Sequence, residues 1–231
     1  MKEGFVIAID GPVASGKGTI AQLLSKKLEA IQIDTGSMYR AVALSCKEQG
    51  VDLTNRQEVL DLLPSMEIEI FADLPTRTSR VSLGGRDVSE LIRKPEIADA
   101  SSITSHYPEV REYLVAKQKE LIATLVSQNI KVVIEGRIVA SEVVPDAEYK
   151  LFLTATTQER AKRRLAQYQQ KGVEISPEKV LEDTIRRDER DADNLPINPE
   201  SLGYHTIDTT EINEDQTLEI INTELQRRNL L

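Results

Sequence analysis

Nine consecutive residues, Gly11-Pro12-Val13-Ala14-Ser15-Gly16-Lys17-Gly18-Thr19, set two glycines with four residues between them, a lysine directly after the second and a hydroxyl two positions further on. This is the spacing of a loop whose backbone N–H groups surround a phosphate at a helix amino terminus while the lysine reaches the next phosphate out. The glycines supply torsions that other residues resist. The pattern points to a nucleoside triphosphate held by Gly11, Pro12, Val13, Ala14, Ser15, Gly16, Lys17, Gly18 and Thr19. Lys17 then bridges the β- and γ-phosphates, and Thr19 is the candidate ligand of a Mg²⁺ ion or of its waters. Taken alone, the string also fits a glycine-rich turn with a solvated lysine, so its flanks decide the matter.

Elsewhere the chain offers separated arginines. Arg40, Arg111 and Arg137 stand apart, and Arg160, Arg163, Arg164, Arg186, Arg187 and Arg190 gather in two late stretches. Phosphoryl transfer calls for such a set, because its loose transition state is stabilised by positioning and by positive charge on the moving group. The two histidines, His106 and His205, lie in no motif and read as surface or capping residues.

The elements that must hold these residues follow from periodicity. The run from Phe5 to Ile9 is apolar throughout and ends in Asp10-Gly11-Pro12, as a buried parallel strand followed by a turn does. Ile20, Leu23, Leu24 and Leu28 share one face of a helix from Gly18 to Leu28. The nine residues thus sit between a buried strand and an amphipathic helix, where a phosphate loop belongs. A strand at 31–33 and a helix at 37–49 follow. Polar and apolar residues alternate at 67–71 and 80–83, which predicts a half-exposed antiparallel patch within an insertion at 62–94. Gly84-Gly85 joins it by a hairpin to a strand at 86–88. Helices at 94–101 and 108–128, strands at 131–134 and 149–153, and a helix from Thr157 come next, the last with Thr156 and Glu159 as a capping box. A helix at 177–190, a strand at 204–207 and a helix at 213–227 complete the chain. Strands alternating with helices imply a parallel sheet covered on both faces.

A chain of 231 residues, 40% hydrophobic, suits one α/β domain carrying an insertion. A net charge of −9 argues against a nucleic-acid polymer as partner, while leaving room for a small anion in a cleft of converging cations. The single cysteine, Cys46, excludes an intramolecular disulfide and reads as a small buried hydrophobe. No targeting segment or apolar run long enough for a membrane is visible, so the expectation is a cytoplasmic protein with no membrane partner.

Ile33-Asp34-Thr35-Gly36-Ser37-Met38-Tyr39-Arg40, following a Gly-Lys-Gly-Thr loop, resembles the bacterial cytidylate kinase family. So do Val110-Arg111-Glu112, Glu135-Gly136-Arg137, Val144-Pro145-Asp146-Ala147, Glu159-Arg160-Ala161, Arg163-Arg164 and Arg187-Asp188-Glu189-Arg190-Asp191, across nearly the whole chain. The resemblance implies a P-loop NTPase fold of three layers, with a central parallel sheet and a small antiparallel β insertion in the monophosphate-binding region. It implies one kinase domain over 1–231, with its core at 1–61 and 95–231, the insertion at 62–94 and a lid at 157–191. The implied reaction is ATP with CMP or dCMP, assisted by Mg²⁺. Carried over by position, Thr35 and Arg40 meet the acceptor, and Ser102 and Arg111 face the cytosine edge. Arg137 holds phosphate where donor and acceptor meet, Arg187 and Asp191 lie beside the acceptor, and Arg160 and Arg164 are lid cations. Lys17, Arg137, Arg160, Arg164 and Arg187 form the implied catalytic set, and the implied state is a monomer.

Two positions depart from that pattern. Ile138 stands where the family places Asp, with Val139-Ala140-Ser141 lacking the usual Gly-Thr, and Asn194 stands where it places Arg. Both belong to the acceptor pocket, so altered acceptor preference or reduced activity is expected. Three readings stay open on sequence alone: a CMP/dCMP kinase, a kinase for UMP or another small monophosphate, and an ATP-binding regulatory protein without transfer. Asp183, Arg187 and Asp191, on one helical face, also fit a surface ion-pair ladder.

Overall fold

The computed structural model describes residues 4–170 and 172–231. Its strands are β1 (Val6–Asp10), β2 (Ile31–Asp34), β3 (Ile68–Asp73), β4 (Thr78–Leu83), β5 (Arg86–Asp87), β6 (Val132–Gly136), β7 (Tyr149–Thr154) and β8 (His205–Asp208). Its α-helices are α1 (Lys17–Leu28), α2 (Gly36–Glu48), α3 (Arg56–Leu62), α4 (Pro95–Thr104), α5 (Pro108–Ser127), α6 (Thr157–Gln170), α7 (Pro177–Asp191) and α8 (Glu214–Arg227).

Among the described residues one sheet runs β3-β4-β2-β6-β1-β7-β8, with β5 paired to β4. From β2 to β8 the strands are parallel. The period of two in each central strand divides the core. Val6 and Ala8 of β1, with Val132 and Ile134 of β6, pack towards α2 and α5. Ile7 and Ile9, with Val133, pack on the opposite face against Ile20 and Leu24 of α1 and Ile221 and Leu225 of α8. Full burial of one such side chain contributes about 1.5–3 kcal/mol. Both faces are covered, which is why β1 reads as an unbroken apolar run.

The antiparallel patch is present, with β3 against β4 from Ile68↔Leu83 to Asp73↔Thr78 and a hairpin through Gly84-Gly85 into β5. It is no separate sheet: β4 joins β2 in parallel at Gln32↔Thr78. Two elements were not foreseen. α3 carries Asn55 at its N-cap, accepting from the Glu58 N–H, an Asn-x-x-Glu signal that was legible in the sequence. A π-helical turn, Val139–Val143, follows β6 where the family's Gly-Thr is missing. The Thr156–Glu159 box is half made: the Glu159 N–H reaches Thr156 Oγ1 at 3.4 Å, while the Glu159 carboxylate pairs with Arg163. Cys46 is fully buried, and burial pushes its thiol up to about 11.

Candidate active site

β1 lies between β6 and β7, and the chain leaves it through α1 towards β2 on one side while β6 leads on to β7 at the other. The loop after β1 therefore opens at the switch point of the sheet, where α/β proteins bind ligands. Gly11 is required there: a Cβ would stand 2.1 Å from the Leu153 carbonyl oxygen. α1 begins without a side-chain cap and without an acidic residue in its first turn. Its amino-terminal N–H groups and positive dipole end are left for an anion. Gly18 also has a local reason, since a Cβ at that position would lie 3.1 Å from Glu135 Oε1. Any side chain directly after the lysine would press on that carboxylate, which would have to give by a few tenths of an ångström.

A cavity of about 380 Å³ opens over this loop. Of the predicted phosphate-loop residues, Val13, Ala14, Gly16, Lys17, Gly18 and Thr19 line it, whereas Gly11, Pro12 and Ser15 lie behind. Thr35, Arg40, Ser102, Arg111, Arg137, Arg164, Arg187 and Asp191 all line the same cavity. Residues from β2, α2, α4, α5, the end of β6, α6 and α7 are thus brought to one place.

The electrostatics are those of a site short of negative charge. Burial lowers the Lys17 ammonium, and the neighbouring Arg137 lowers it further, against the pull of Glu135 and Asp34. Its Nζ donates to the Pro12 carbonyl at 3.2 Å. Arg187 is pushed down to about 10, by burial first and then by the charges of Arg137 and Arg164. The Nε atoms of both Arg40 and Arg187 are buried without a hydrogen-bond partner. Arg40 Nη2 is meanwhile held by Asp34 Oδ2 at 2.5 Å, and Arg137 Nε by Asp191 Oδ2 at 2.9 Å. The ladder alternative fails for Arg187: Asp183 pairs with Lys179 and Arg186, and Arg187 turns inward towards Asp99 at 3.9 Å.

Three further groups matter here that sequence reasoning passed over. Asp34 and Glu135 are register partners at the carboxyl ends of β2 and β6, and both line the cavity with Gly18 and Thr19. Burial and the charge of Asp34 push Glu135 up to about 7. The signal was an acid closing each strand of the pattern. Asp10, fully buried at the end of β1, accepts from the Val139 and Ala140 N–H groups at 2.9 Å each and from the Tyr204 hydroxyl at 2.7 Å. Those bonds fix the π-turn directly after Arg137.

Arg160 departs from expectation. It does not line the cavity; its guanidinium is buried and donates to Ala155 O, Val13 O and both carboxylate oxygens of Asp188. It clasps α6 and α7 to the back of the phosphate loop. Arg164 does reach the cavity wall, lying over the Tyr168 ring with its Nη2 3.5 Å from Asp99. Arg163, one of the late arginines, donates to Thr209 O and Oγ1 at 2.5 and 2.9 Å beside Gly16. His106 holds the capping position of the two that its sequence context allowed. Its two ring nitrogens lie 2.8 Å from Ser102 O and 2.6 Å from Arg190 O, in the last turns of α4 and α7, and Arg190 Nη1 donates to Ser102 Oγ at 2.9 Å. Among the described residues no helix is long and apolar enough to cross a membrane.

Comparison with known proteins agrees with this geometry. The family model described as "Cytidylate kinase" matches residues 7–227. A "Cytidylate kinase" of Caldanaerobacter subterraneus subsp. tengcongensis is 39% identical, over 92% of this chain and 91% of that protein. One from Pseudomonas putida (strain KT2440) is 35% identical, over 98% and 97%. A solved structure of an uncharacterized protein from Eubacterium ventriosum shares the fold, with a TM-score of 0.52 at 12% identity over 97% of this chain and 99% of that one. A phosphate loop at the switch point of a parallel sheet, facing a wall of inward arginines, and a family match across almost the entire length lead to one assignment: the chain belongs to the cytidylate kinase family.

Proposed function

We propose that this protein transfers the γ-phosphoryl group of ATP to CMP and dCMP, giving CDP and dCDP with ADP. The observation that carries the proposal is the convergence of Lys17, Arg40, Arg137 and Arg187 on one cavity, two of them with buried, unpartnered Nε atoms. Burial and mutual repulsion lower Lys17 and Arg187, and a polyanion set among them offsets that repulsion. Such a site stabilises charge where phosphates meet, which is the main work of phosphoryl transfer.

Residues 11–19 cradle the ATP phosphates, with Lys17 on the β- and γ-groups. Arg40, Arg137 and Arg187 hold the acceptor phosphate and the group in transit, Thr35 and Asp191 the acceptor nucleotide, and Ser102 and Arg111 its base. Arg164 closes over the donor as part of a lid at 157–191, opposite the insertion at 62–94. A Mg²⁺ ion finds suitable hard oxygen donors in Thr19, Asp34 and Glu135. Two carboxylates and a hydroxyl beside the phosphate loop suit an ion that keeps several waters and shares the substrate's phosphates. When bound, that ion neutralises charge on the β- and γ-phosphates. No catalytic base is required, because the acceptor phosphate is already ionised. We place the protein in the cytoplasm as a monomer, the state that the resemblance to the family implies.

ADP release from ATP and Mg²⁺ is measured with CMP, dCMP, AMP and dTMP offered singly, beside a Lys17→Ala variant. Turnover with CMP and dCMP, lost in the variant, is the expected result. Absence of turnover with every acceptor, while ATP still binds, overturns the proposal.

A further inference from the structure

Asp10 closes β1 one residue before the phosphate loop, and its register partner on β6 is Gly136, the residue before Arg137. Its carboxylate reaches past Arg137 and Ile138: Oδ1 accepts from the Val139 N–H and Oδ2 from the Ala140 N–H, at 2.9 Å each. Arg137 and Ile138 are therefore held between two points of contact with one residue. The π-turn that follows has no side-chain cap of its own. Its first N–H groups are those that a helical turn leaves without a partner, and Asp10 supplies the cap from another strand. Gly11 comes next in the chain and leaves no room for a side chain against the Leu153 carbonyl, so Asp10 also marks the fixed root of the phosphate loop. One carboxylate thus sets the spacing between that loop and Arg137.

Tyr204, directly before β8, is buried, with its ring edge to face with Phe152 at 6.0 Å between centroids. Phe152 is the register partner of Asp10 on β7. The Tyr204 hydroxyl donates to Asp10 Oδ2 at 2.7 Å. Burial and the charge of Asp10 push this hydroxyl far up, so it keeps its proton and its role as donor is fixed. Burial acts on Asp10 as well and raises its carboxyl, while the bonds from Ala140, Tyr204 and Val139 and the charge of Arg137 oppose that rise. Of these three donors two belong to the turn, and the third is Tyr204. It supports the charged form of Asp10, in which both oxygens accept.

Arg137 lines the cavity with Lys17 and Arg187, and its Nε donates to Asp191 Oδ2 at 2.9 Å. That bond orients the guanidinium, while the bonds to Asp10 set where its backbone stands. Tyr204 is not part of the cavity wall. From these contacts we infer that Tyr204 is a positioning residue for phosphoryl transfer: through Asp10 it fixes the Arg137 backbone at a set distance from the phosphate loop. This role rests on the transfer reaction proposed above, with Arg137 on the group in transit. It acts on the transition state more than on bound ATP, since a displacement of about 1 Å in a catalytic group costs about a hundredfold in rate.

The test is Tyr204→Phe, which keeps the ring against Phe152 and removes only the donor. Steady-state and single-turnover rates with CMP, ATP and Mg²⁺ are measured in the wild type, Tyr204→Phe, Arg137→Ala and the double variant, with active enzyme counted by ATP titration. The expected result is a kcat about tenfold or more below wild type in Tyr204→Phe, with KM for ATP within about twofold. In the Arg137→Ala background the same change is expected to cost less than about twofold, because the group it positions is gone. A kcat in Tyr204→Phe like that of the wild type overturns the inference. So does an equal fold-loss in both backgrounds, which marks general loosening. Either outcome leaves the CMP kinase reading intact. A wild type that turns over no CMP overturns that reading and the inference together.

Discussion

Arg187 enters the cavity with its Nε buried and unpartnered and with two arginines depressing its proton affinity. In the proposed role a substrate phosphate is its partner. Arg187→Ala is expected to lower kcat by about 10²–10³-fold, the cost of removing one donor from a transferring group, with little change in ATP affinity. Presteady-state and steady-state turnover, together with ATP titration, check both parts. Glu135 gives a pH signature. Its carboxyl is raised to about 7, so it loses its charge as pH falls through that value, and with it the hold on Mg²⁺ waters proposed for it. The free enzyme's kcat/KM is expected to fall on the acid side of about pH 7, and Glu135→Gln to be slow without that limb. The same shift acts on stability with a definite sign. A folded value above the unfolded one stabilises the fold fully below the ordinary carboxylate range, and this contribution is lost as pH rises through about 7. At the residue scale the sequence disclosed the glycine loop, Lys17 and the inward arginines because each stands in a spaced motif. It hid Glu135 and Asp10, whose importance comes from burial and from partners 100 or more positions away, such as Thr35 for the backbone of Glu135 and Tyr204 for Asp10.

Helix ends decide how α4 and α7 meet. His106 bridges the Ser102 and Arg190 carbonyls in the last turns of both helices, where a donor is favoured, Ser102 O also accepting from Ser105 Oγ. His106→Ala removes the bridge, a loss of about 1 kcal/mol for the hydrogen bond it donates. Thermal or denaturant unfolding should register that loss. Because Ser102 and Asp191 sit on the two helices so joined, KM for CMP should rise while KM for ATP stays put. Equal changes in both would point to general loosening. The central strands and the main helices were legible because their apolar periods are unbroken, as in β1 and α1. Arg160 was misread for the converse reason. Its i,i+4 spacing from Arg164 suggested a shared exposed face, but α7 packs over that turn and Asp188 draws Arg160 inward. The π-turn at Val139–Val143 was invisible, since it is fixed by the distant carboxylate of Asp10 rather than by its own residues.

The whole molecule is acidic, at −9, yet gathers Lys17, Arg40, Arg137 and Arg187 on one cavity. Attraction between site and nucleotide is therefore local, and binding should weaken only modestly with salt, in contrast to a protein with a broad basic face. Nucleotide should also stabilise the fold, by about 2.7 kcal/mol when ligand stands at a hundred times its dissociation constant. The central claim is that donor and acceptor share one cavity, with their phosphates meeting at Lys17, Arg137 and Arg187. Calorimetric titration with a bisubstrate analogue, adenosine and cytidine joined through a chain of phosphates, tests it most directly. The account predicts one analogue per chain, bound far more tightly than ATP or CMP alone and weakened at least about a hundredfold by Arg187→Ala. Two analogues per chain, or an affinity no better than that of ATP, would contradict it.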